Sequence, residues 1–162
     1  MDPTHIKEIE VRAAVLVIST SRTEKEDTAG KQIKKLLEDD NIQVVRKVII
    51  PDSISAIQEG VKNALTEANC IILTGGTGVT RDDCTIEAVY PLIQKTLDGF
   101  GELFRTKSFA EVGTRTVLSR AMAGIIDGKV IFCLPGSYNA ADLATKEIII
   151  PEIRHILTHA SR

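Results

Sequence analysis

Short apolar runs recur along the chain, and each of them predicts a β-strand. They are AAVLVIS (13–19), QVVRKVII (43–50), CIILT (70–74) and KVIFCL (129–134). The first run is apolar at nearly every position, which is typical of a strand that is covered on both faces. These four runs are therefore predicted to form the centre of a sheet.

Helical patterns follow the first two strands. Ile33, Leu36 and Leu37 have the spacing of one helical face, which predicts a helix from about Thr28, with Asp27 or Thr28 as its N-cap.

Residues 52–69 predict a second helix. Ser55 and Gln58 have the spacing of a capping box, although Asp52 or Ser53 could also begin this helix. Its buried stripe consists of Ile57, Val61 and Leu65.

The middle of the chain has weaker patterns. A helix is predicted from about Thr85, with a disturbance near Pro91, and another is predicted over residues 98–113. The apolar side chains that we expect on the inner face of the second of these are Phe100, Leu103 and Phe104. They either fill the core or form a subunit interface, and the pattern does not choose between the two.

Residues 114–128 predict a short helix, a strand and a turn at Asp127–Gly128, and residues 139–160 predict a mostly helical segment with a break at Pro151. Strand and helix thus alternate along nearly the whole chain. This order favours parallel strands, because parallel neighbours need a crossover connection. We therefore expect one α/β domain over residues 1–162, a three-layer αβα sandwich with a mostly parallel central sheet.

Composition and charge exclude several classes of function. The 162 residues carry a formal net charge of only −2 and include no Trp, which argues against a nucleic-acid partner. No apolar run is long enough to cross a bilayer, and the polar, acidic N-terminus has no signal-peptide core. The sequence therefore predicts a cytoplasmic protein. Cys70, Cys84 and Cys133 are odd in number and widely spaced, which predicts reduced thiols rather than disulfides or a zinc site.

Three loops should meet at the carboxyl ends of the strands, where open α/β sheets bind ligands. They span residues 19–27, 74–85 and 135–139, and all contain glycine or hydroxyl residues. In the second loop, the peptide N–H groups of Gly75, Gly76 and Gly78 can approach an anion closely, and the following helix N-terminus adds positive charge. Thr74, Thr77 and Thr80 could add hydroxyl donors. The simpler alternative is that these glycines only form a tight turn.

The loop does not match a standard nucleotide motif. The third position of the dinucleotide fingerprint is Arg81 instead of glycine, and the P-loop pattern fails around Gly30 because Lys25 and Gln32 occupy two of its key positions.

Adjacent carboxylates follow the glycine loop. Asp82 or Asp83 could simply cap a helix, but a second carboxylate beside an anion site suggests a divalent cation, and Asp52 could join from a neighbouring loop. Together these residues predict a phosphate-bearing ligand with Mg²⁺, and phosphoryl or nucleotidyl transfer as the chemistry.

Several motifs resemble the MoaB and MogA family of molybdenum-cofactor biosynthesis proteins. LTGGTGVTRDDCTIEAV (73–89) resembles the central family segment, and STSRTEKEDTAGK (19–31) resembles the first loop. GFGELFR, LSRAMAG and LPGS resemble later blocks in the same order, and the wording of residues 99–114 is closer to MoaB.

The resemblance implies a trimer or hexamer that binds molybdopterin. It also implies ATP as co-substrate and Mg²⁺ for adenylylation of the molybdopterin terminal phosphate, with release of pyrophosphate and a molybdate-insertion enzyme as partner. By resemblance, Asp52 and Asp83 are the catalytic and metal-binding residues, and Asp82 has no catalytic role. The candidate substrate-binding residues are Ser19, Arg22, Thr74, Gly75, Gly76, Thr77, Gly78, Ser119, Gly136 and Ser137.

Two other roles remain open beside the enzyme. The chain could be a carrier that binds molybdopterin or a precursor without adenylylating it, or a scaffold, although it shows no fused module. Neither Cys84 as a reactive thiol nor His155 and His159 as metal ligands is required by this chemistry. Four arginines either reach a phosphate or pair with surface acids: Arg22, Arg81, Arg105 and Arg120.

Overall fold

A six-stranded sheet in the order β2-β1-β3-β6-β5-β4 organises the computed structural model, which describes residues 8–162. The strands are β1 Arg12–Ile18, β2 Gln43–Ile50, β3 Cys70–Thr74, β4 Lys95–Thr96, β5 Met122–Ile126 and β6 Lys129–Leu134. The pairs β1–β2, β1–β3 and β3–β6 are parallel, whereas β4–β5 and β5–β6 are antiparallel. The predicted fold class, with a mostly parallel sheet, is confirmed.

Helices cover both faces of this sheet. They are α1 Thr28–Asp39, α2 Ile54–Leu65, α3 Thr85–Val89, α4 Asp98–Val112, α5 Tyr138–Ala144 and α6 Ile150–Ala160. Alternate residues of β1 enter two separate cores: Val15 packs with α1, α4, α5 and α6, and Leu16 packs with α2 and α3. Both side chains are fully buried, which explains the unbroken apolar run of this strand. No helix in the described residues is long and apolar enough to span a membrane.

Side-chain caps fix where the first two helices begin. Asp27 caps α1 by accepting a hydrogen bond from the Gly30 peptide N–H at 2.8 Å, so one of the two predicted caps is confirmed. Ser53 caps α2 by accepting from the Ala56 N–H at 3.3 Å. The predicted capping box therefore does not form, and Gln58 instead donates to the Ala88 carbonyl at 3.0 Å.

The inner face of α4 differs from the prediction. Phe100 and Phe104 are buried, and the Phe100 ring meets Phe132 of β6 at a centroid distance of 5.1 Å. Leu103 was wrongly expected to point inward: 43% of it is exposed, because two successive positions of a helix face different directions and Phe104 occupies the core.

The ends of several segments were also predicted only in part. A 3₁₀ helix at Tyr90–Leu92 contains Pro91 and is followed by β4, a strand that the sequence did not predict. A second 3₁₀ helix, Gly113–Leu118, follows α4. The helical C-terminus does not break at Pro151. A π-helical turn at Thr145–Ile149 precedes this proline and accommodates its missing N–H donor.

A buried ion pair joins the first loop to β2. Oδ2 of Asp27, which is completely buried, lies 2.8 Å from Nζ of Lys47, and Nζ also lies 2.7 Å from Oε1 of Glu24. Burial lowers the pKa of Lys47, but hydrogen bonds to Asp27 and Glu24 outweigh this effect and raise the pKa. The ammonium therefore stays charged and holds the end of the loop against the sheet.

Replacing Lys47 by Met is expected to lower the free energy of unfolding by about 3 kcal/mol, because the Asp27 carboxylate then stays buried without its cation. The matched control is Lys35→Met, which removes an exposed pair with Asp39 and should change the free energy by less than about 0.5 kcal/mol. Urea denaturation measures both. Equal, small losses would contradict the structural role of the buried pair.

Candidate functional site

A cleft of about 1010 Å³ opens at the carboxyl ends of the parallel strands. The loops after β1, β3 and β6 line it, as predicted. The predicted residues in its lining are Ser19, Arg22, Asp52, Gly75, Gly76, Thr77, Gly78, Asp83, Ser119, Gly136 and Ser137. Thr74 lies outside the cleft. It is buried, and its hydroxyl donates to the Pro135 carbonyl at 3.0 Å, which ties β3 to the loop after β6.

Two glycines have backbone conformations that L side chains rarely adopt. The φ angle is 102° at Gly75 and 68° at Gly76. A Cβ atom at Gly75 would collide with the Ile18 carbonyl of β1, and a Cβ atom at Gly76 would collide with Oγ1 of Thr85. The loop therefore needs glycine at these positions both for its backbone conformation and for its close contact with the neighbouring chain.

The carbonyl groups of this loop are bound by the protein. Thr85 donates from Oγ1 to the Gly75 carbonyl at 2.8 Å and from its peptide N–H to the Gly76 carbonyl at 2.9 Å. Arg120 donates from Nε to the carbonyls of Thr77 and Gly78, each at 3.1 Å, and from Nη2 to Gly78 at 2.6 Å. All four carbonyl groups from residue 75 to residue 78 are thus occupied.

The Gly75 N–H was wrongly expected to be available to an anion, because it donates to the Leu134 carbonyl at 3.0 Å. The next three N–H groups of the loop differ from it. Within residues 8–162, the N–H groups of Gly76, Thr77 and Gly78 donate to no protein acceptor. In a trans peptide the N–H points away from the C=O, and no peptide here is cis. The cleft is therefore lined by three successive residues whose N–H groups are open to an acceptor, and successive peptide N–H groups of this kind make up the nests that bind anions. The predicted help from the next helix is small, because α3 has only five residues.

Asp52 and Asp83 are each held by the peptide N–H and the hydroxyl of one threonine. Oδ2 of Asp52 accepts from the peptide N–H of Thr20 at 3.1 Å and from its hydroxyl at 2.8 Å. Oδ2 of Asp83 accepts from the N–H of Thr80 at 2.9 Å and from its hydroxyl at 2.8 Å. Each carboxylate is therefore fixed through one oxygen.

The other carboxylate oxygens fit a cation that also binds a phosphate. Among residues 8–162, Oδ1 of Asp52 and Oδ1 of Asp83 accept no hydrogen bond, and both residues line the cleft. The described part of the chain contains no group of three His, Cys, Asp or Glu side chains that could hold a metal by itself. This donor set suits Mg²⁺, which commonly combines one or two carboxylates with phosphate oxygens.

Cys84 lies beside these carboxylates. Burial raises the pKa of its thiol, and the negative charges of Asp52, Glu87, Asp83 and Asp82 raise it further. A raised pKa disfavours the thiolate form of Cys84.

Polar residues of the outer loops mainly shape the cleft. Oγ of Ser19 accepts from the Arg22 N–H at 3.0 Å, and Nη1 of Arg22 donates to the Gly136 carbonyl at 3.1 Å, so the first and third loops are joined. Ser137 caps α5 through the Ala140 N–H at 3.2 Å. Oγ of Ser119 accepts from the Ala121 N–H at 3.4 Å.

One wall of the cleft was not predicted from the sequence. Ser108, Glu111, Arg115 and Thr116, which belong to α4 and the 3₁₀ helix after it, line the cleft. The only available signal was the density of polar residues in the segment 113–119, which is no more than a short surface helix would show. These side chains come near the glycine loop only through tertiary packing.

The histidines of α6 lie away from this cleft. His155 and His159 have ring centroids 4.9 Å apart, and Nδ1 of His155 lies 3.1 Å from Oε2 of Glu152. Both histidines line a separate groove of about 520 Å³.

Comparisons with known proteins agree on one family. A family model described as "Probable molybdopterin binding domain" matches residues 14–155. Molybdenum cofactor biosynthesis protein B of Staphylococcus aureus (strain MRSA252) is 46% identical over 151 residues, which cover 91% of this chain and 90% of that protein.

Solved structures have the same fold. A crystal structure of molybdenum cofactor biosynthesis protein B is 39% identical, with a TM-score of 0.90, and the match covers 94% of this chain and 96% of that one. The tungsten cofactor synthesizing protein MoaB from Pyrococcus furiosus is 40% identical, with a TM-score of 0.87, and the match covers 94% and 98% of the two chains.

Replacing Gly76 by Ala should cost more stability than replacing Gly113 by Ala. Their φ angles are nearly equal, at 68° and 65°, but only at Gly76 would the Cβ atom collide with a neighbour. Backbone strain should cost about 1–3 kcal/mol in each variant, and Gly113, with ψ of −140°, lies in a region that is even less accessible to other residues than the left-handed helical region. Gly76→Ala should lose more than this, and it should also weaken the binding of inorganic pyrophosphate.

Urea denaturation and calorimetric titration with pyrophosphate measure these two effects. Equal stability losses, or unchanged pyrophosphate binding by Gly76→Ala, would contradict this description of the loop.

Proposed function

The chain belongs to the family of probable molybdopterin binding domains, and from this premise we propose that residues 1–162 form one domain that acts in molybdenum cofactor biosynthesis. The proposed ligands are molybdopterin and a nucleotide, both of which carry phosphate. The observation that carries this proposal is the set of unpartnered N–H groups at Gly76, Thr77 and Gly78 beside Asp83. Such donors recognise a phosphate group irrespective of what is attached to it.

The proposed reaction is adenylylation of the molybdopterin terminal phosphate. An oxygen of this phosphate attacks the α-phosphorus of ATP, the bond from the α-phosphorus to the bridging oxygen breaks, and pyrophosphate leaves. No covalent enzyme intermediate is needed, in agreement with the raised pKa of Cys84. A cleft of about 1010 Å³ supports the proposal, because pockets for one small ligand measure about 300–1000 Å³ and this reaction needs two.

The residues of the chain have two tasks in this reaction. The loop N–H groups hold a phosphate and stabilise the negative charge that develops in the transition state, without reorganising as it forms. Asp52 and Asp83 are fixed by Thr20 and Thr80 through Oδ2, whereas Oδ1 of each accepts no hydrogen bond within residues 8–162, and both residues line the cleft. Mg²⁺ bound there would reduce the repulsion between the two reacting phosphates.

A carrier of molybdopterin or a precursor is the alternative function. One finding favours it: residues 8–162 contain no group of three His, Cys, Asp or Glu side chains that could hold a metal ion. The metal site would therefore be complete only when a nucleotide is bound. A carrier needs the phosphate-binding loop but has no need of two fixed carboxylates. We therefore favour the enzyme, whose product would pass to a molybdate-insertion enzyme.

An assembly of three or six copies is also proposed. Apolar side chains are exposed at the end of α4 and in the 3₁₀ helix that follows it: Phe109, Val112, Val117 and Leu118. They flank the cleft wall formed by Arg115 and Thr116. Contiguous exposed apolar residues of this kind mark protein interfaces.

Asp83→Asn should keep molybdopterin binding nearly intact and reduce turnover on the order of a hundredfold. The Asn side-chain oxygen can still accept from Thr80, so the loop should fold, but the charge that holds Mg²⁺ is lost. The control is Asp98→Asn, which removes an exposed carboxylate that does not line the cleft. Pyrophosphate release from molybdopterin and MgATP measures turnover.

Molybdopterin binding by the wild type without any pyrophosphate release would establish the carrier instead. Parallel loss of folding and binding in Asp83→Asn would mark this residue as structural.

Val117→Lys should dissociate the assembly, because it puts a charge on a side chain that is 85% exposed within the apolar patch. Ile54→Lys is the control: Ile54 is also exposed, at 47%, but it lies on α2, on the opposite face of the sheet. Sedimentation velocity measures the mass. A monomeric wild type would refute the proposed assembly.

A further inference from the structure

Arg120 contacts the glycine loop through its carbonyl groups. Its guanidinium donates to the carbonyls of Thr77 and Gly78, and it is not part of the cleft lining. The carbonyl of Thr77 and the N–H of Gly78 belong to one peptide unit, as do the carbonyl of Gly78 and the N–H of Val79. In a trans peptide these groups point in opposite directions. Binding the carbonyls therefore fixes the direction of the N–H groups.

Glu87 holds the guanidinium in place. Nη1 of Arg120 lies 2.5 Å from Oε2 of Glu87, and Nη2 lies 3.1 Å from Oε1, so the pair is bidentate. The hydrogen bond from Arg120 lowers the pKa of Glu87, so the carboxylate stays ionised at neutral pH. The charge of Arg120 is thus balanced within the protein, and its donors are directed to Glu87 and to the loop.

We propose that Arg120 is a positioning residue: with Glu87, it locks the peptide unit that joins Thr77 to Gly78, so that the Gly78 N–H faces the phosphate of the ligand. Arg120 itself does not touch this phosphate. The inference rests on the proposed function, because it names the residue that orients the phosphate-binding loop.

Lysine cannot replace arginine in this role. The planar guanidinium reaches two carbonyls and both oxygens of a carboxylate in one fixed geometry, whereas an ammonium group is a point charge on a flexible stem. Loss of function in Arg120→Lys would therefore identify geometry, and not charge, as the contribution of Arg120.

The test compares Arg120→Lys and Arg120→Met with Arg154→Met in the full chain. Arg154 is the matched control, because it also bridges a carboxylate and a carbonyl, Oδ2 of Asp40 at 2.9 Å and the Asp40 carbonyl at 3.2 Å, but it lies outside the cleft lining. The probes are inorganic pyrophosphate, titrated by calorimetry at several salt concentrations, and ¹⁵N relaxation of the Gly78 amide without ligand.

Both Arg120 variants should bind pyrophosphate at least about tenfold more weakly, with a lower ¹⁵N order parameter at Gly78, while Arg154→Met binds like the wild type. The salt dependence of the remaining affinity should be unchanged, because no contact between a cation and the phosphate has been removed. Added guanidinium should restore part of the binding of Arg120→Met, whereas the same concentration of sodium should not.

Wild-type binding by Arg120→Lys would overturn the inference, because charge alone would then suffice. A flatter salt dependence in both variants would also overturn it, since it would indicate direct phosphate contact. If the Arg120 variants do not fold, Glu87→Gln replaces them: it should bind pyrophosphate several-fold more weakly, and unchanged binding would overturn the inference.

Failure of the proposed function gives a different result. If the wild type binds no pyrophosphate, the phosphate site itself is wrong. If the wild type binds it and the Arg120 variants bind equally well, with an unchanged ¹⁵N order parameter at Gly78, only the role of Arg120 is wrong.

Discussion

A planar trans peptide cannot turn its carbonyl and its N–H group to the same side, and the candidate site depends on this constraint. Thr85 binds the carbonyls of Gly75 and Gly76, and Arg120 binds those of Thr77 and Gly78. Within residues 8–162, the N–H groups of Gly76, Thr77 and Gly78 have no protein acceptor, and these three residues line the cleft. An electropositive nest thus arises from backbone atoms, in a chain whose net charge is only −2.

The parallel sheet supplies the frame for this loop. Three parallel strands deliver their loops to one end, and the loops interlock: a Cβ atom at Gly75 would strike the Ile18 carbonyl of β1, and one at Gly136 would lie 3.1 Å from Cα of Gly75. Arg22 further joins the first loop to the third through Gly136. Backbone packing between neighbouring strands therefore sets the conformation of the loop and the position of Asp83. The side chains of the site project from this fixed backbone.

Local patterns predicted much of this arrangement, because apolar runs, caps and glycine conformations are local properties. The central strands and the Asp27 cap were predicted from short stretches of neighbouring residues, and the parallel arrangement from the alternation of strands and helices. β4 did not follow, because two exposed residues, Lys95 and Thr96, carry no pattern. The hydrogen-bond partners of Arg120 could not be predicted from the sequence either, because they lie 33 to 43 positions away from it along the chain. Adenylylation came only from family resemblance, because a phosphate nest does not specify which phosphate reacts.

The most direct test of the central claim is a titration of ¹⁵N-labelled protein with inorganic pyrophosphate, followed by amide NMR. The account predicts that the amide protons of Gly76, Thr77 and Gly78 move downfield and become protected from exchange, because they donate to the anion. Carbonyl-bound amides elsewhere in the sheet, such as Leu73, should remain unchanged. Pyrophosphate binding that shifts other residues and leaves these three amides unaffected would contradict the account.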